Sequence, residues 1–326
     1  MAIPNRALSS RNPYVFISGC PRSGTTLLQR MLDSHPRLAV ANDTHFIPKP
    51  VADAACAPDI PLTRAQVEFV LAYPRFPRLG VPETAVHAAA ARSRTYPGFV
   101  SALYDQLGSM HGKPLAGEKT PDYIRHLPLL HSMFPWAKTI HIVRDGRDVA
   151  LSALGWAGKK KRGPSRWPLW DEEPVAVCAL WWRDFVCAGD RNGPALGRER
   201  YRDVRYEDLV HRPEETLREL ASFLKLSFAP EMLSYNEGKL RPNPKLSAKS
   251  QWLPPTPGLR DWRSEMLPRD VQLFEALAGD VLVAHGYERA FDTIAQDVTA
   301  LSARCRGDWQ SEADAARLEV SSSHRA

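Results

Sequence analysis

Two short stretches of this chain carry residue types suited to gripping an anion. The first is Gly19-Cys20-Pro21-Arg22-Ser23-Gly24-Thr25-Thr26. Glycines at 19 and 24 allow backbone angles closed to other residues, so successive N–H groups can turn toward one ligand. Ser23, Thr25 and Thr26 add hydroxyl donors, and Arg22 adds positive charge. The spacing is that of a phosphate-binding loop, with Thr25 where the motif has lysine. That lysine reaches the β- and γ-phosphates of a nucleoside triphosphate. Without it the loop suits a shorter anion, such as one 5′-phosphate carrying a sulfuryl group. The plainer alternative is a glycine-rich turn that only joins a strand to a helix. The second stretch is Val143-Arg144-Asp145-Gly146-Arg147-Asp148, with Ser152 about two turns into the helix that follows. Arg144 and Ser152 could reach one phosphate together. The alternative is a surface turn with Arg147 and Asp148 in ordinary ion pairs.

Both stretches follow apolar runs rich in β-formers. Tyr14 to Gly19 and Lys138 to Val143 are predicted as strands buried on both faces. Leu27, Leu28, Met31 and Leu32 share one stripe at helical spacing, closed by Pro36. A second helix is predicted over 147–154. Further strands are expected at 115–118 and 201–206, and helices at 124–134, 175–188, 214–224 and 269–284. Trp181 and Trp182 fall in the helix at 175–188 and read as core. Strands alternating with helices give a P-loop-like α/β three-layer sandwich, with a central parallel sheet and helices on both faces. Ligands of such sheets sit beyond the carboxyl ends of the strands. The stretch 48–114 is rich in proline and shows no clear strand, but 66–71 and 86–92 look helical. It reads as a helical insertion that shapes an acceptor pocket. Residues 242–257 read as loop, residues 1–300 as one domain, and the polar, patternless 301–326 as a disordered tail.

Taken together, the two stretches resemble the cofactor motifs of sulfotransferases that use 3′-phosphoadenosine 5′-phosphosulfate. The likeness runs from about Tyr14 to Tyr287 and leans toward bacterial members and the tyrosylprotein branch, through Leu32-Asp33-Ser34-His35-Pro36 and Asp43-Thr44-His45-Phe46-Ile47-Pro48. The resemblance implies that Pro21 to Thr26 bind the 5′-phosphosulfate and that Arg144 and Ser152 bind the 3′-phosphate. Lys119, in Glu118-Lys119-Thr120-Pro121, matches a lysine beside the leaving phosphate. Tyr206, in Arg205-Tyr206-Glu207-Asp208-Leu209, falls in a recurrent family segment. Arg260, before Trp262, resembles a C-terminal contact to the 3′-phosphate. Ser247 to Ser250 are expected near the cofactor as well. Family members usually place a catalytic glutamate where this chain has Asp43, one methylene shorter. The product would be 3′,5′-adenosine bisphosphate.

Sulfuryl transfer needs an acceptor oxygen in line with sulfur, stabilised charge on the departing oxygens, and a route out for the acceptor proton. Arg22, Lys119 and the loop amides are candidates for the charge. Asp43 is the first candidate base and His45 the reserve. Asn42-Asp43-Thr44 also suits a turn or helix cap, and His45 also suits a packed core. Two rivals stand beside this reading. One is a P-loop kinase-like phosphotransferase, disfavoured by Thr25 and by Arg144 at the second strand end. The other is a nucleotide-binding protein without turnover.

Bulk properties fit. The chain has 326 residues, 44% hydrophobic and 25% charged, with net charge +6, the profile of a folded globular protein. The small basic surplus suits an anionic ligand without demanding nucleic acid. The run Lys159-Lys160-Lys161-Arg162 reads as a solvated surface. Five cysteines without a CxxC pair suggest reduced thiols in a cytoplasmic protein, and no spacing suggests a metal site. No apolar segment is long enough for an expected signal peptide or membrane anchor. The expected partner is a hydroxyl-bearing acceptor, a small molecule, saccharide or lipid ahead of a protein tyrosine.

Overall fold

Val15, Phe16 and Ile17 are wholly buried, and strand alternation sends Phe16 to one face and its neighbours to the other. A strand buried on both faces must lie inside a covered sheet. The computed structural model describes residues 11–52, 59–157, 163–237 and 254–323. Its five strands are β1 (Val15–Ser18), β2 (Leu38–Asn42), β3 (Leu115–Lys119), β4 (Lys138–Val143) and β5 (Tyr201–Arg205). All run parallel, in the order β2-β3-β1-β4-β5. Ile17 is in register with Lys119 on one side and Ile140 on the other.

The helices are α1 (Thr25–Asp33), α2 (Arg64–Ala72), α3 (Glu83–Arg92), α4 (Tyr96–Met110), α5 (Leu127–Met133), α6 (Gly146–Ala157), α7 (Pro174–Asn192), α8 (Tyr206–His211), α9 (Pro213–Phe223), α10 (Trp262–Glu265), α11 (Pro268–Ala284) and α12 (Gln296–Ser323). Leu28, Met31, Leu209, Leu217 and Leu220, from α1, α8 and α9, cover the face bearing Val15, Ile17, Ile140 and Ile142. On the opposite face α4 and α5 close over Phe16, and α6, α7, α11 and α12 close over Val143. This is the expected three-layer sandwich. Trp181 and Trp182 are buried in its core.

The connection leaving β1 runs through α1 toward β2, and the one leaving β4 runs through α6 and α7 toward β5. Two neighbouring strands whose connections depart in opposite directions open a crevice at their carboxyl ends. Residues 19–24 and 144–145 flank it.

Three expectations change. β2 was not foreseen, and it delivers Asp43 from its end. Tyr206 opens α8 rather than closing a strand. The tail from 301 is helical as far as Ser323, and Cys305 and Trp309 are buried in the core. Trp309 stacks on Trp167 with ring centroids 3.9 Å apart, so burial, not local propensity, holds this helix. Between β2 and β3 the described chain is helical, with α2, α3 and α4. The basic run 159–162 and Ser247 to Ser250 lie outside the described residues.

Two buried histidines give the sheet a pH limit. The His131 ring bonds Thr139 Oγ1 at 2.9 Å, and His141 Nδ1 meets the Tyr201 hydroxyl at 2.7 Å. Burial pulls both down to about 4, helped by Arg200 at His131 and by His285 at His141. An unfolded histidine titrates near 6.5, so the unfolded chain binds more protons between about 6.5 and 4. The stability is therefore fully present above about 6.5 and is lost as pH falls toward 4, by up to about 3 kcal/mol for each ring. Melting temperature measured from pH 8 to 4.5 should fall steeply in that window, and His141→Gln should flatten the fall. An unchanged slope in that variant would discard the assignment.

Candidate active site

The first loop leaves β1 in a conformation few residues tolerate. Gly19 has φ 147° and Gly24 φ 91°. A Cβ at Gly19 would come within 2.3 Å of the Ile142 carbonyl oxygen, and one at Gly24 within 2.4 Å of the Tyr206 ring. Arg22 between them also has positive φ, 79°. No side chain caps the start of α1, so its first N–H groups are open to an anion. Ser23 is fully buried, and its Oγ has no hydrogen-bond partner.

The second loop is clamped from below. The Arg147 guanidinium is wholly buried and grips Asp145 with Nε at 3.0 Å and Nη2 at 2.8 Å. It also donates to Glu275 at 2.7 Å and to the Glu288 carbonyl at 2.8 Å. The Trp262 ring lies 3.6 Å from its Cζ, and Trp262 Nε1 donates to Asp145 at 3.0 Å. The alternative of a surface turn is thereby corrected for Arg147, which is a core residue tying the loop to α10 and α11.

Arg144, freed of that duty, faces the crevice. Its guanidinium lies 4.4 Å from the Tyr206 ring, pairs with Asp148 at 3.3 Å, and keeps a buried Nε without a hydrogen-bond partner. The Arg22 Nε donates to Ser152 Oγ at 3.0 Å, which stitches the two loops together. Burial first, then Arg144 and Arg260, pull the Arg22 pKa down to about 10. Arg22 thus sits in the field of two further guanidinium groups, and a bound anion would relieve it. Tyr206 is the floor between Gly24 and Arg144. Arg260 is exposed at the rim and donates to its neighbour's carbonyl, Leu259 O, at 3.0 Å.

Alternation along β3 puts Glu118 on the α4 face and Lys119 on the α1 face. Lys119, 1% exposed, reaches Thr26 Oγ1 at 3.4 Å and Asp43 Oδ1 at 3.0 Å. The positive charge that Thr25 lacks therefore arrives from another strand. Burial pulls the Lys119 pKa down, and Asp43 opposes it. Burial alone would push Asp43 up, but Lys119 and then His45 outweigh it and hold the carboxyl well below the usual range.

Asp43 and His45 both have left-handed backbone, φ 62° and 60°, costing about 1–3 kcal/mol each. Glu118 helps hold this turn. It accepts from the Thr44 N–H at 2.9 Å, the Tyr104 hydroxyl at 2.7 Å and Thr120 Oγ1 at 2.5 Å. His45 sits beyond Asp43, with Nε2 3.6 Å from Asp43 Oδ1 and Nδ1 3.3 Å from Asp122 Oδ2. Arg78 approaches Asp43 Oδ2 at 3.7 Å.

The site therefore gathers Arg22, Ser23, Gly24, Thr26, Lys119, Arg144, Ser152 and Tyr206 around one crevice, with Asp43 and His45 at its far side and Arg260 at its rim. Pro21 and Thr25 shape the loop and the first turn of α1. Arg78, Asp122 and Trp156, whose ring centroid is 5.5 Å from the Arg22 guanidinium, were not foreseen. Only the fold brings them near.

Residues 13–230 match the sulfotransferase family. The chain belongs to that family. This sulfotransferase-family chain is 27% identical over 231 residues to chicken protein-tyrosine sulfotransferase 2, covering 70% of the chain and 55% of the relative. A fruit-fly protein-tyrosine sulfotransferase is 26% identical over 233 residues, 71% of the chain and 42% of the relative. The chain thus spans about half the length of these first curated relatives. Nodulation protein NoeE of Sinorhizobium fredii is 26% identical over 309 residues, 84% of the chain and 66% of the relative. Among solved structures, the sulfotransferase domain of the Synechococcus olefin synthase aligns with TM-score 0.55 at 24% identity, over 84% of this chain and 94% of that one. At that identity the likeness carries the fold. Among the described residues no helix is long and apolar enough to cross a membrane.

Proposed function

We propose that this chain moves a sulfuryl group from 3′-phosphoadenosine 5′-phosphosulfate to an acceptor hydroxyl. The observation that carries the reading is the crevice at the ends of β1 and β4. There Arg144 and Arg260 both act on Arg22, and Ser23 Oγ and Arg144 Nε are buried without hydrogen-bond partners. Such groups fit a ligand with two separated anionic ends.

In this reading the donor supplies an activated sulfuryl group with 3′,5′-adenosine bisphosphate as its departing part. Arg22, Ser23, Thr25, Thr26 and the amides between Gly19 and Gly24 hold the 5′ end, with Pro21 shaping the loop. Arg144 and Ser152 hold the 3′-phosphate, with Arg260 at the rim and the Tyr206 ring as floor. Lys119 offsets charge on the departing oxygens. Asp43, within reach of Lys119, takes the acceptor proton. We keep a small-molecule, saccharide or lipid hydroxyl ahead of a protein tyrosine, and place the protein in the cytoplasm. Support for that placement comes from the free thiols, with Cys20, Cys178 and Cys305 buried.

The test is a thermal shift on the full chain. 3′,5′-Adenosine bisphosphate without metal should stabilise it, by about 2.7 kcal/mol at a hundredfold excess over its dissociation constant. ATP with magnesium should stabilise it less, and the reverse order would favour a phosphotransferase. Labelled-sulfate transfer to 4-nitrophenol, a tyrosine peptide, an oligosaccharide and a long-chain alcohol then sorts the acceptor class.

A further inference from the structure

We infer that Asp43, His45 and Asp122 form a proton outlet from the acceptor to solvent, with Asp122 as the positioning residue that orients the His45 ring. The inference rests on the sulfuryl-transfer reading above and extends it.

Asp43 is ionised and so open to a proton, but it is a poor place to leave one. Lys119 and Arg78 both face its carboxylate, at 3.0 and 3.7 Å, and favour its charged form. Turnover needs the proton to move on. The neighbouring group placed to take it is His45, whose Nε2 lies 3.6 Å from Asp43 Oδ1. Closing by a few tenths of an ångström brings that pair into proton-transfer range, a tightening common on substrate binding.

The other ring nitrogen faces Asp122 at 3.3 Å. A carboxylate at Nδ1 holds a proton there and turns Nε2 toward Asp43 as an acceptor. Asp122 is the most exposed of the three side chains, at 44% against 26% for Asp43 and 12% for His45, and so is the one that meets solvent. His126 lies near Asp122, and Lys49 and Arg125 in turn lie near His126. Two left-handed residues at 43 and 45 are what set both side chains along this line.

The balance is simple. The acceptor oxygen bonds to sulfur as the sulfur–oxygen bond of the donor breaks, and the acceptor proton passes to Asp43 Oδ1. It moves to His45 Nε2, and the Nδ1 proton passes to Asp122 Oδ2 and on to solvent. That leaves the ring as its Nε2–H tautomer, and exchange of the ring protons with solvent restores the Nδ1–H form before the next turnover.

The test compares transfer to an aliphatic alcohol with transfer to 4-nitrophenol, which ionises itself at mildly alkaline pH. With the alcohol, His45→Ala should lose about 10²-fold in kcat, and added imidazole should restore part of it. Asp122→Asn should lose about tenfold with the acceptor KM unchanged, its pH profile should shift, and Asp122→Glu should recover most of the rate. With 4-nitrophenol at alkaline pH all variants should approach wild type. Full rate with the alcohol in both His45→Ala and Asp122→Asn overturns the outlet while leaving the transfer reading intact. Equal losses with both acceptors, without imidazole rescue, make the residues structural and also overturn it. If wild type transfers to neither acceptor nor to any other hydroxyl, the transfer reading falls and takes the outlet with it.

Discussion

Lys119→Met is expected to cut the turnover of sulfuryl transfer by about 10²–10³-fold, the scale seen when one preorganised charge-stabilising donor is removed. Methionine roughly keeps the length and the apolar stem, so the change isolates the ammonium. That ammonium is the cation within 3.4 Å of Thr26 and 3.0 Å of Asp43 at once, joining the donor loop to the acceptor side. The same change strips Asp43 of its nearest counter-charge. Burial, which already works against the charged carboxyl, is then opposed by His45 and Arg78 without Lys119, and the acid limb of the remaining activity should move to higher pH. Loss of that counter-charge also costs stability, so the control is Lys119→Met combined with Asp43→Asn. The double variant should regain melting temperature and not turnover. Lys119→Met within threefold of wild-type turnover would remove Lys119 from the chemistry.

Arg147→Met should cost about 3–5 kcal/mol of stability, because it breaks a buried ion network from one side. Asp145 loses a two-pronged partner at 3.0 and 2.8 Å, and Glu275 loses its 2.7 Å donor. Glu275 itself still accepts from the Ala290 and Phe291 N–H groups, which limits the damage there. For a chain of this size the melting temperature should drop by on the order of 5–10 °C. Arg147→Lys should recover only part, since one ammonium cannot serve both carboxylates and lie flat on Trp262. The loop carrying Arg144 hangs on this network, so affinity for 3′,5′-adenosine bisphosphate should weaken in parallel. A melting temperature within 2 °C of wild type would show that the network contributes little.

Both donor loops were legible in the sequence because each is local. A β-rich run, a glycine or arginine at its end and a helical stripe behind it all lie within a dozen or so residues. Lys119 was legible only through family likeness, since nothing nearby in the chain says that β3 sits beside β1. β2 escaped because Leu38-Ala39-Val40-Ala41-Asn42 is short, alanine-rich and without alternation. α12 escaped for a different reason. Its buried positions Val298, Ser302, Cys305 and Trp309 do follow helical spacing, but two of the four are small or polar and leave a faint apolar stripe. Arg147 looked like a surface ion pair because its partner Glu275 is distant in sequence. Arg78 reaches Asp43, and Asp122 reaches His45, only through the fold.

β2 and β3 are neighbours in the sheet, and everything from Asp43 to Pro114 merely has to leave one and return to the other. Loop-closure entropy grows slowly, and doubling such a connection costs only about 0.6 kcal/mol. Every residue assigned to the donor lies outside this span, on the loops after β1 and β4, on α1, on β3, on α6, on α8, or before α10. Descendants of this chain could therefore lengthen, shorten or replace α2 and α3, though not α4, which covers the sheet at Phe16, while leaving the grip on the donor untouched. Diversification of what is accepted is inexpensive in this architecture, and diversification of what is donated is not.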